Sequence, residues 1–445
     1  MTAGAGRVSS MAVDSVPVGP VRIDSVHVDS VVSLLGDIQR IGVDRVRGGY
    51  SRPVFSSAEL DLRAWFVGQA ERRGLDVETD AVGTIRAWWK PASGSLGDAV
   101  LTGSHLDSVP GGGAYDGPLG VVSALVAVDL LRARGVEPVR PLVVAVFPEE
   151  EGSRFGVACL GSRVLAGAIS VDRALALRDS EGDTFAEVLT RNGHDPRAVR
   201  PDTAGLADLH AFVELHVEQG RALVDLDQAV ALGSSILGHG RWRLSVEGQG
   251  NHAGTTLMRD RRDPMVAAAR AVQAVRDLAR DTPGARGTVG RLQPVPGGTN
   301  VIASRVDLWI DVRHPSDVVT RALVERVRAE AATIAAEEGC TATLTEESFS
   351  ATTHFDPVLR ERLHRVLPDA PVLDTGAGHD AGVLAAHVPT AMLFVRNPTG
   401  ISHSPEEYAA DGDAEAGAVA LADLLEDLLT GESDDRGVSG SVPVR

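Results

Sequence analysis

Five segments of the chain place a histidine or a carboxylate at, or just beyond, the end of an apolar run. Imidazole nitrogens and carboxylate oxygens are the ligands that zinc and manganese take from proteins, and a shared carboxylate commonly bridges two such ions. The set therefore indicates a two-metal hydrolase. Its members are His105, Asp116, Glu151, His216 and His403.

The run Glu149, Glu150 and Glu151 follows VVAVF, a segment too apolar to be an exposed strand. Consecutive side chains of an extended segment point to opposite sides, so Glu150 and Glu151 cannot ligate one ion in the same way. One can bind metal while its neighbour acts as general base toward a water that a pair of ions has acidified. The sequence contains no GxSxG, HExxH, P-loop or GxGxxG motif. We therefore predict amide hydrolysis by water, without a covalent intermediate.

The elements around these residues indicate an α/β fold. AVLTGSHLDSV and PLVVAVFPE are typical of buried strands, and LGVVSALVAVDLLRARG between them is typical of a helix, which predicts parallel strands with right-handed crossovers. Ligand sites of such sheets lie beyond the carboxyl ends of the strands, where His105, Asp116 and the glutamates fall. The glycines 111–113 let the backbone double back, so that both His105 and Asp116 can face one point.

The pattern changes from about residue 225 to strand, helix, strand, strand, helix, and returns to its first form after about 337. This predicts a catalytic domain made of 31–224 and 338–432, interrupted by an α+β insertion at 225–337. We expect disordered tails at 1–30 and 433–445.

Composition excludes several classes of partner. A formal charge of -18 over 445 residues argues against nucleic acid or an anionic membrane surface. No stretch approaches the roughly 20 apolar residues that span a bilayer. The first 30 residues lack the charged start and apolar core typical of a secretion signal, and the two cysteines have no disulfide or thiolate-metal spacing. We expect a cytoplasmic protein with a small-molecule substrate.

Several motifs occur in an order and spacing that resemble the amidohydrolase branch of the metal-dependent aminoacylase and carboxypeptidase superfamily. They are GSHLDSV, YDGPLG, EEEGSRF, ELHVEQG, GNHAGTT, GAGHDAG and ISHSP, and the likeness covers roughly residues 30–430. The resemblance implies a dinuclear-metal, exopeptidase-like catalytic domain with a mixed central sheet flanked by helices. It also implies that the inserted domain is a lid through which the protein forms a homodimer.

The resemblance also implies roles for particular residues. Two divalent ions, manganese or zinc, would be held by His105 and His216 at one site, by Glu151 and His403 at the other, and by Asp116 between them. Glu150 would be the general base, and His252 would reach across the dimer to stabilise an oxyanion. The positions that match substrate-binding residues are Gln219, Asn300, Arg313 and His379.

Physical arguments support three of these roles. Arg313 follows the strand VDLWIDV, and a planar guanidinium there is a natural bidentate partner for a substrate carboxylate. His252 lies among small residues, which permit close approach to a developing oxyanion. His379 lies among glycines, beside Asp380, which could orient an imidazole.

Four functions are consistent with this set of residues. We expect hydrolysis of allantoate, with N-carbamoyl-L-amino-acid hydrolysis as the alternative, because both reactions use the same catalytic residues. A peptidase or aminoacylase would keep the metals but would not need the GNHAGTT and GAGHDAG forms. A non-catalytic scaffold is disfavoured because no ligand is missing.

Overall fold

The computed structural model describes residues 27–431. The predicted tails, 1–30 and 433–445, lie outside these residues except for 27–30. Ser30 caps the first helix, since its side chain accepts a hydrogen bond from the backbone N–H of Ser33 at 3.1 Å.

The strands of this part of the chain form three sheets. They are β1 (Asp76–Thr79), β2 (Ile85–Trp89), β3 (Val100–His105), β4 (Leu142–Phe147), β5 (Ala211–Val217), β6 (Val230–Ile236), β7 (His239–Glu247), β8 (Asn251–His252), β9 (Arg286–Val295), β10 (Val301–Ile302), β11 (Arg305–Arg313), β12 (Thr341–Ser350), β13 (Thr353–His354), β14 (Val372–Thr375) and β15 (Thr390–Val395).

The helices cover both faces of the largest sheet and one face of the second. They are α1 (Val31–Ile38), α2 (Ser57–Arg72), α3 (Pro118–Ala133), α4 (Leu160–Leu165), α5 (Val171–Ala176), α6 (Phe185–Arg191), α7 (Thr203–Ala207), α8 (Ala222–Asp225), α9 (Pro264–Arg280), α10 (Asp317–Glu337), α11 (Pro357–Val366), α12 (Asp380–Leu384) and α13 (Asp411–Thr430).

The large sheet has the order β1-β2-β4-β3-β5-β15-β6-β13, and β14 also pairs with β6. It is mixed, because β3, β4, β5 and β15 run parallel to one another, while β1 pairs antiparallel with β2, β2 with β4, and β6 with β15. Helices α1, α3 and α13 pack on one face through a continuous apolar cluster, and α4 and α12 lie on the other. The predicted α/β fold with a mixed central sheet flanked by helices is confirmed.

The second sheet has the order β12-β7-β11-β9, is antiparallel throughout, and packs on α9 and α10 through its own apolar cluster. The sequence pattern predicted that this insertion runs from residue 225 to residue 337. In the structure β6 belongs to the large sheet and β12 to the small one, so the segment that builds the small sheet runs from 239 to 350. The difference arises because pairing partners, rather than hydrophobic pattern, decide which sheet a strand joins.

Candidate metal centre and active site

The candidate site lies at the carboxyl ends of four neighbouring parallel strands, β4, β3, β5 and β15. Because the strands are parallel, residues at or just after these ends lie at one edge of the sheet. The sequence predicted this position for His105, Asp116 and the glutamates. Asp116 joins them from the loop directly before α3. The strand-end residues are His105 in β3, Glu150 and Glu151 after β4, His216 in β5 and His403 after β15.

The ligand types form two groups that share one carboxylate. In the first group, Nε2 of His105 and Nε2 of His216 lie 3.4 and 3.2 Å from Oδ1 of Asp116. In the second group, Nε2 of His403 lies 3.4 Å both from Oδ2 of Asp116 and from an oxygen of Glu151. Each oxygen of Asp116 therefore faces a different group, as a carboxylate that bridges two ions would.

Both buried histidines present the correct nitrogen for a metal. Nδ1 of His105 lies 3.0 Å from the carbonyl oxygen of Asp107, and Nδ1 of His216 lies 2.9 Å from that of Val217. A carbonyl only accepts, so each Nδ1 carries a proton and Nε2 is the nitrogen left for a metal. Within residues 27–431 neither Nε2 has a hydrogen-bond partner, although both are buried. A divalent cation would satisfy both atoms, so the residues fit a metal.

The electrostatics of the cluster show a deficit of positive charge. Burial, and then the charge of Asp116, raise the pKa of Glu151 to about 8. Burial also raises the pKa of Glu150 well above its ordinary value. Burial by itself lowers the pKa of His105, but the charges of Glu150 and its neighbours outweigh it and raise that pKa well above the ordinary value. Cations placed among these carboxylates would stabilise their ionised forms.

Asp107 holds the backbone of Glu150 and Glu151. Its carboxylate accepts hydrogen bonds from the backbone N–H groups of Glu150 and Glu151 at 3.2 and 3.1 Å. Glu151 then reaches the second ligand group, while one carboxylate oxygen of Glu150 lies 3.8 Å from Nε2 of His105. The other oxygen of Glu150 lies 3.3 Å from Sγ of Cys159. Glu150 thus lies beside the ligand groups without belonging to either, where its carboxylate could accept a proton from a molecule bound at the site.

Glycine is required where α3 begins against the first ligand group. Gly117 has φ +83°, and a Cβ there would lie 2.5 Å from the imidazole of His105. Gly111, also at positive φ (+77°), lies in the turn that carries the chain from His105 to Asp116. The loop thereby folds back on itself, as the three consecutive glycines predicted.

Gln219 and His379 border the ligand groups from two sides. Nε2 of Gln219 donates to Oδ2 of Asp116 at 3.0 Å, while its Oε1 is buried and has no partner among residues 27–431. The imidazole of His379 lies 4.4 Å from that of His216, measured between ring centroids, and neither of its nitrogens has a partner in the same range. Burial, and then the nearby His216, lower the pKa of His379 well below its ordinary value. The neutral ring can therefore donate to, or accept from, a bound molecule.

Asp380 does not orient this imidazole by a hydrogen bond, which corrects the role suggested for it. One carboxylate oxygen of Asp380 instead accepts from the hydroxyl of Ser162 at 2.5 Å, and the other has no partner within 27–431. The helix α12 starts at Asp380 and turns its side chain toward α4, away from the ring that precedes it.

Arg313 already has a carboxylate partner, which the sequence argument did not foresee. Its guanidinium donates to the two oxygens of Asp311 at 2.8 and 3.2 Å, and to the carbonyl oxygen of Gly376 at 2.7 Å. Residues two apart on a strand share a face, so Asp311 is placed to pair with it. The contact with Gly376 ties the small sheet to the loop that leads to His379.

His252 and Asn300 lie together, away from the metal ligands of their own chain. β8, which contains His252, pairs with β10, and the carbonyl oxygen of Asn300 accepts from the backbone N–H of Ala253 at 3.0 Å. Both side chains are exposed. Within the described range neither contacts the five ligand residues.

Sequence reasoning did not assign roles to Asp107 or Glu407. Asp107 stands two residues after His105 in a quoted motif, which was an available signal. Glu407 follows His403 in an acidic pair that is typical of a solvated loop, yet it is 4% exposed. Its carboxylate accepts from the backbone N–H groups of Tyr115 and Asp116 at 3.1 and 2.9 Å. Only the folded chain brings these two distant loops together.

Comparison with known proteins gives a consistent result. A family model described as "Peptidase family M20/M25/M40" matches residues 101–427. An N-carbamoyl-L-amino acid amidohydrolase of Geobacillus stearothermophilus is 36% identical over 86% of the chain and 95% of the relative. An allantoate amidohydrolase of Bacillus subtilis is 32% identical over 85% of the chain and 92% of the relative. The crystal structure of a hydantoinase/carbamoylase family amidase from Burkholderia multivorans superposes with a TM-score of 0.81 at 33% identity, covering 91% of this chain and 99% of that one.

Proposed function

The chain belongs to peptidase family M20/M25/M40 and is a metal-dependent amidohydrolase acting on C–N bonds, and on that premise we propose that its substrate is allantoate. The reaction would release ammonia and carbon dioxide and leave ureidoglycine or ureidoglycolate. No helix among residues 27–431 has the length and apolar character needed to cross a bilayer. We propose that the enzyme acts in the cytoplasm.

The observation that carries the proposed mechanism is the position of Asp116 between two ligand groups, with Glu150 beside them. We assign His105 and His216 to one ion and Glu151 and His403 to the other, with manganese or zinc as the metals that this donor set suits. Bound there, the two ions would supply Lewis-acid activation of water and of the substrate carbonyl.

Glu150 performs the proton transfers in this proposal. Its carboxylate accepts a proton from the attacking water and returns it to the nitrogen of the leaving group, so the residue is unchanged after one turnover. Glu150 is buried, which keeps bulk water away from the transferred proton. His379 and Gln219, with their unpartnered polar atoms, bind and orient the substrate.

For His252 and Asn300 we propose a role in a second copy of the chain. His252 and Asn300 do not contact the ligand groups of their own chain in the described range, but they lie on an exposed ribbon of the inserted unit. We propose that this unit forms a homodimer and acts as a lid, so that His252 of one chain donates to the developing oxyanion in the other. To bind the substrate carboxylate, Arg313 would give up one of its present hydrogen-bond acceptors, Asp311 or Gly376.

N-carbamoyl-L-amino-acid hydrolysis is the second candidate. It is favoured by the higher identity to the carbamoylase, 36% against 32% for the allantoate enzyme. Both substrates present a carbamoyl nitrogen and a carboxylate, so the metal ligands and the base would be the same in either reaction.

Ammonia release by metal-free enzyme reloaded with manganese tests this choice. Allantoate, N-carbamoyl-L-alanine, N-carbamoyl-β-alanine and a dipeptide would be compared at equal concentration, with the dipeptide followed by release of free amino acid. Preference for allantoate supports the proposal. Preference for a carbamoyl amino acid selects the second candidate, and cleavage of the dipeptide alone would contradict both.

A further inference from the structure

A cavity of about 320 Å³ lies between the two units, beside the candidate metal centre. Its wall includes Gln219, whose amide nitrogen donates to Asp116. The lining also includes Arg286, the first residue of β9 in the small sheet, and Asp374 on β14. A cavity of this size is at the lower end of small-molecule sites, roughly 300–1,000 Å³. It can hold a part of the substrate that does not react.

The wall carries hydrogen-bonding groups that the protein itself leaves unused. Arg221, Arg286 and Asp374 are exposed to solvent, and within residues 27–431 none of their side chains makes an ion pair or a hydrogen bond. The buried Oε1 of Gln219 is also without a partner in this range. Residues that carry donors and residues that carry acceptors thus line the same cavity. Glu218 differs, because its carboxylate is occupied by the backbone N–H groups of Ala222 and Leu223 at 2.6 and 3.1 Å.

We infer that this cavity binds a second, non-reacting planar amide or ureido arm of the substrate, an inference that rests on the proposed function. A ureido group has one carbonyl oxygen to accept from guanidinium N–H groups. It also has N–H groups that donate to the carboxylate of Asp374 and to Oε1 of Gln219. A carboxylate arm could accept from the two arginines but would bring no N–H group for Asp374 or Gln219. An aliphatic arm would displace water from these polar groups without replacing its hydrogen bonds. Allantoate carries such a second ureido arm, whereas N-carbamoylglycine shares its reacting group and carboxylate but lacks the arm.

The test compares Arg286→Ala with wild type on allantoate and on N-carbamoylglycine. Loss of hydrogen bonds from a charged donor should lower kcat/KM for allantoate about tenfold to a hundredfold and leave that for N-carbamoylglycine unchanged. Arg286→Lys should recover part of the loss. The matched control is Arg291→Ala on the same strand, where the guanidinium stacks on Trp309 at 4.2 Å, outside the cavity wall. It should alter neither substrate.

Arg221→Ala gives an independent second variant, expected to show the same selectivity. If these variants change both substrates equally, or neither, the inference is overturned while the proposed function stands. If wild type is inert toward allantoate but active on N-carbamoyl amino acids, the proposed substrate is wrong. In that case the same variants are compared on N-carbamoyl-L-asparagine and on N-carbamoylglycine. A loss of kcat/KM for N-carbamoyl-L-asparagine alone supports the inference, and any other result overturns it. Inactivity on all of these substrates would overturn both.

Discussion

Oε1 of Glu407 lies 2.9 Å from the backbone nitrogen of Asp116 and accepts its hydrogen bond, although the two residues are 291 positions apart. The other oxygen of the same carboxylate lies 3.1 Å from the hydroxyl of Ser402, next to His403. The loop after β15 is therefore fixed to the loop before α3 directly beneath the shared carboxylate. This carboxylate thereby links the loop that carries His403 to the loop that carries Asp116.

Glu407→Ala should weaken metal binding and lower stability. The backbone N–H groups of Tyr115 and Asp116 would lose their acceptor, and an unsatisfied buried donor costs about 1–3 kcal/mol. Metal content after dialysis, and the thermal midpoint, would measure the effect. Glu406→Ala is the control, because Glu406 is exposed and bonds to Ser404 alone among the described residues. Equal behaviour of the two variants would show that Glu407 does not position Asp116.

Gly117→Ala should displace His105 and reduce metal occupancy. The added Cβ would lie 2.5 Å from the imidazole, at a φ of +83° that alanine rarely adopts. Gly135→Ala is the control, because Gly135 also has a positive φ, +73°, so alanine there carries a similar backbone strain. An added Cβ at Gly135 would have open space around it. Both variants should lose some stability, whereas only Gly117→Ala should lose metal. Normal metal content in Gly117→Ala would contradict the packing argument.

Glu150→Gln and Glu151→Ala should show which glutamate is the general base and which is the metal ligand. Glu150→Gln removes proton transfer and keeps both ligand groups, so turnover should fall about 10²-fold to 10⁴-fold with two ions retained per chain. Glu151→Ala removes a ligand of the second group, so one ion should be lost. Metal analysis beside initial rates gives both answers, and an active Glu150→Gln enzyme would reassign the base.

The metal-free protein should lose stability as pH rises from about 4 to about 8. Burial, and then the charge of Glu214, raise the pKa of Asp380 to about 8 in the folded chain, against an ordinary 3.8. Burial, and then Asp107, similarly raise the pKa of Glu149 to about 8. The folded state holds these protons where the unfolded state releases them, so their contribution is complete below the ordinary pKa and is lost as pH rises through the raised one.

Thermal midpoints of chelator-treated protein across this range would measure the slope. Asp380→Asn should flatten the curve, because the amide stays neutral at every pH. A midpoint that rises from pH 5 to pH 8 in the metal-free wild type would contradict the assignment of these buried acids.

Sequence patterns predicted the sheet type and the edge where the ligands meet, because apolar runs locate buried strands and parallel strands end together. They did not predict that β12 joins the small sheet, since register and partner are set by contacts between distant segments. The pairing of Arg313 with Asp311 was readable from strand alternation but was missed. The role of Glu407 was not readable, because its acceptor function exists only after two loops meet.

Metal titration of the metal-free enzyme, with bound manganese and ammonia release followed in the same samples, tests the central claim of a shared carboxylate between two ions. The assay would use whichever of allantoate and N-carbamoyl-L-alanine the enzyme turns over faster. We predict two ions per chain and turnover that follows occupancy of the second ion. Full turnover at one ion per chain, or in the metal-free protein, would contradict the claim.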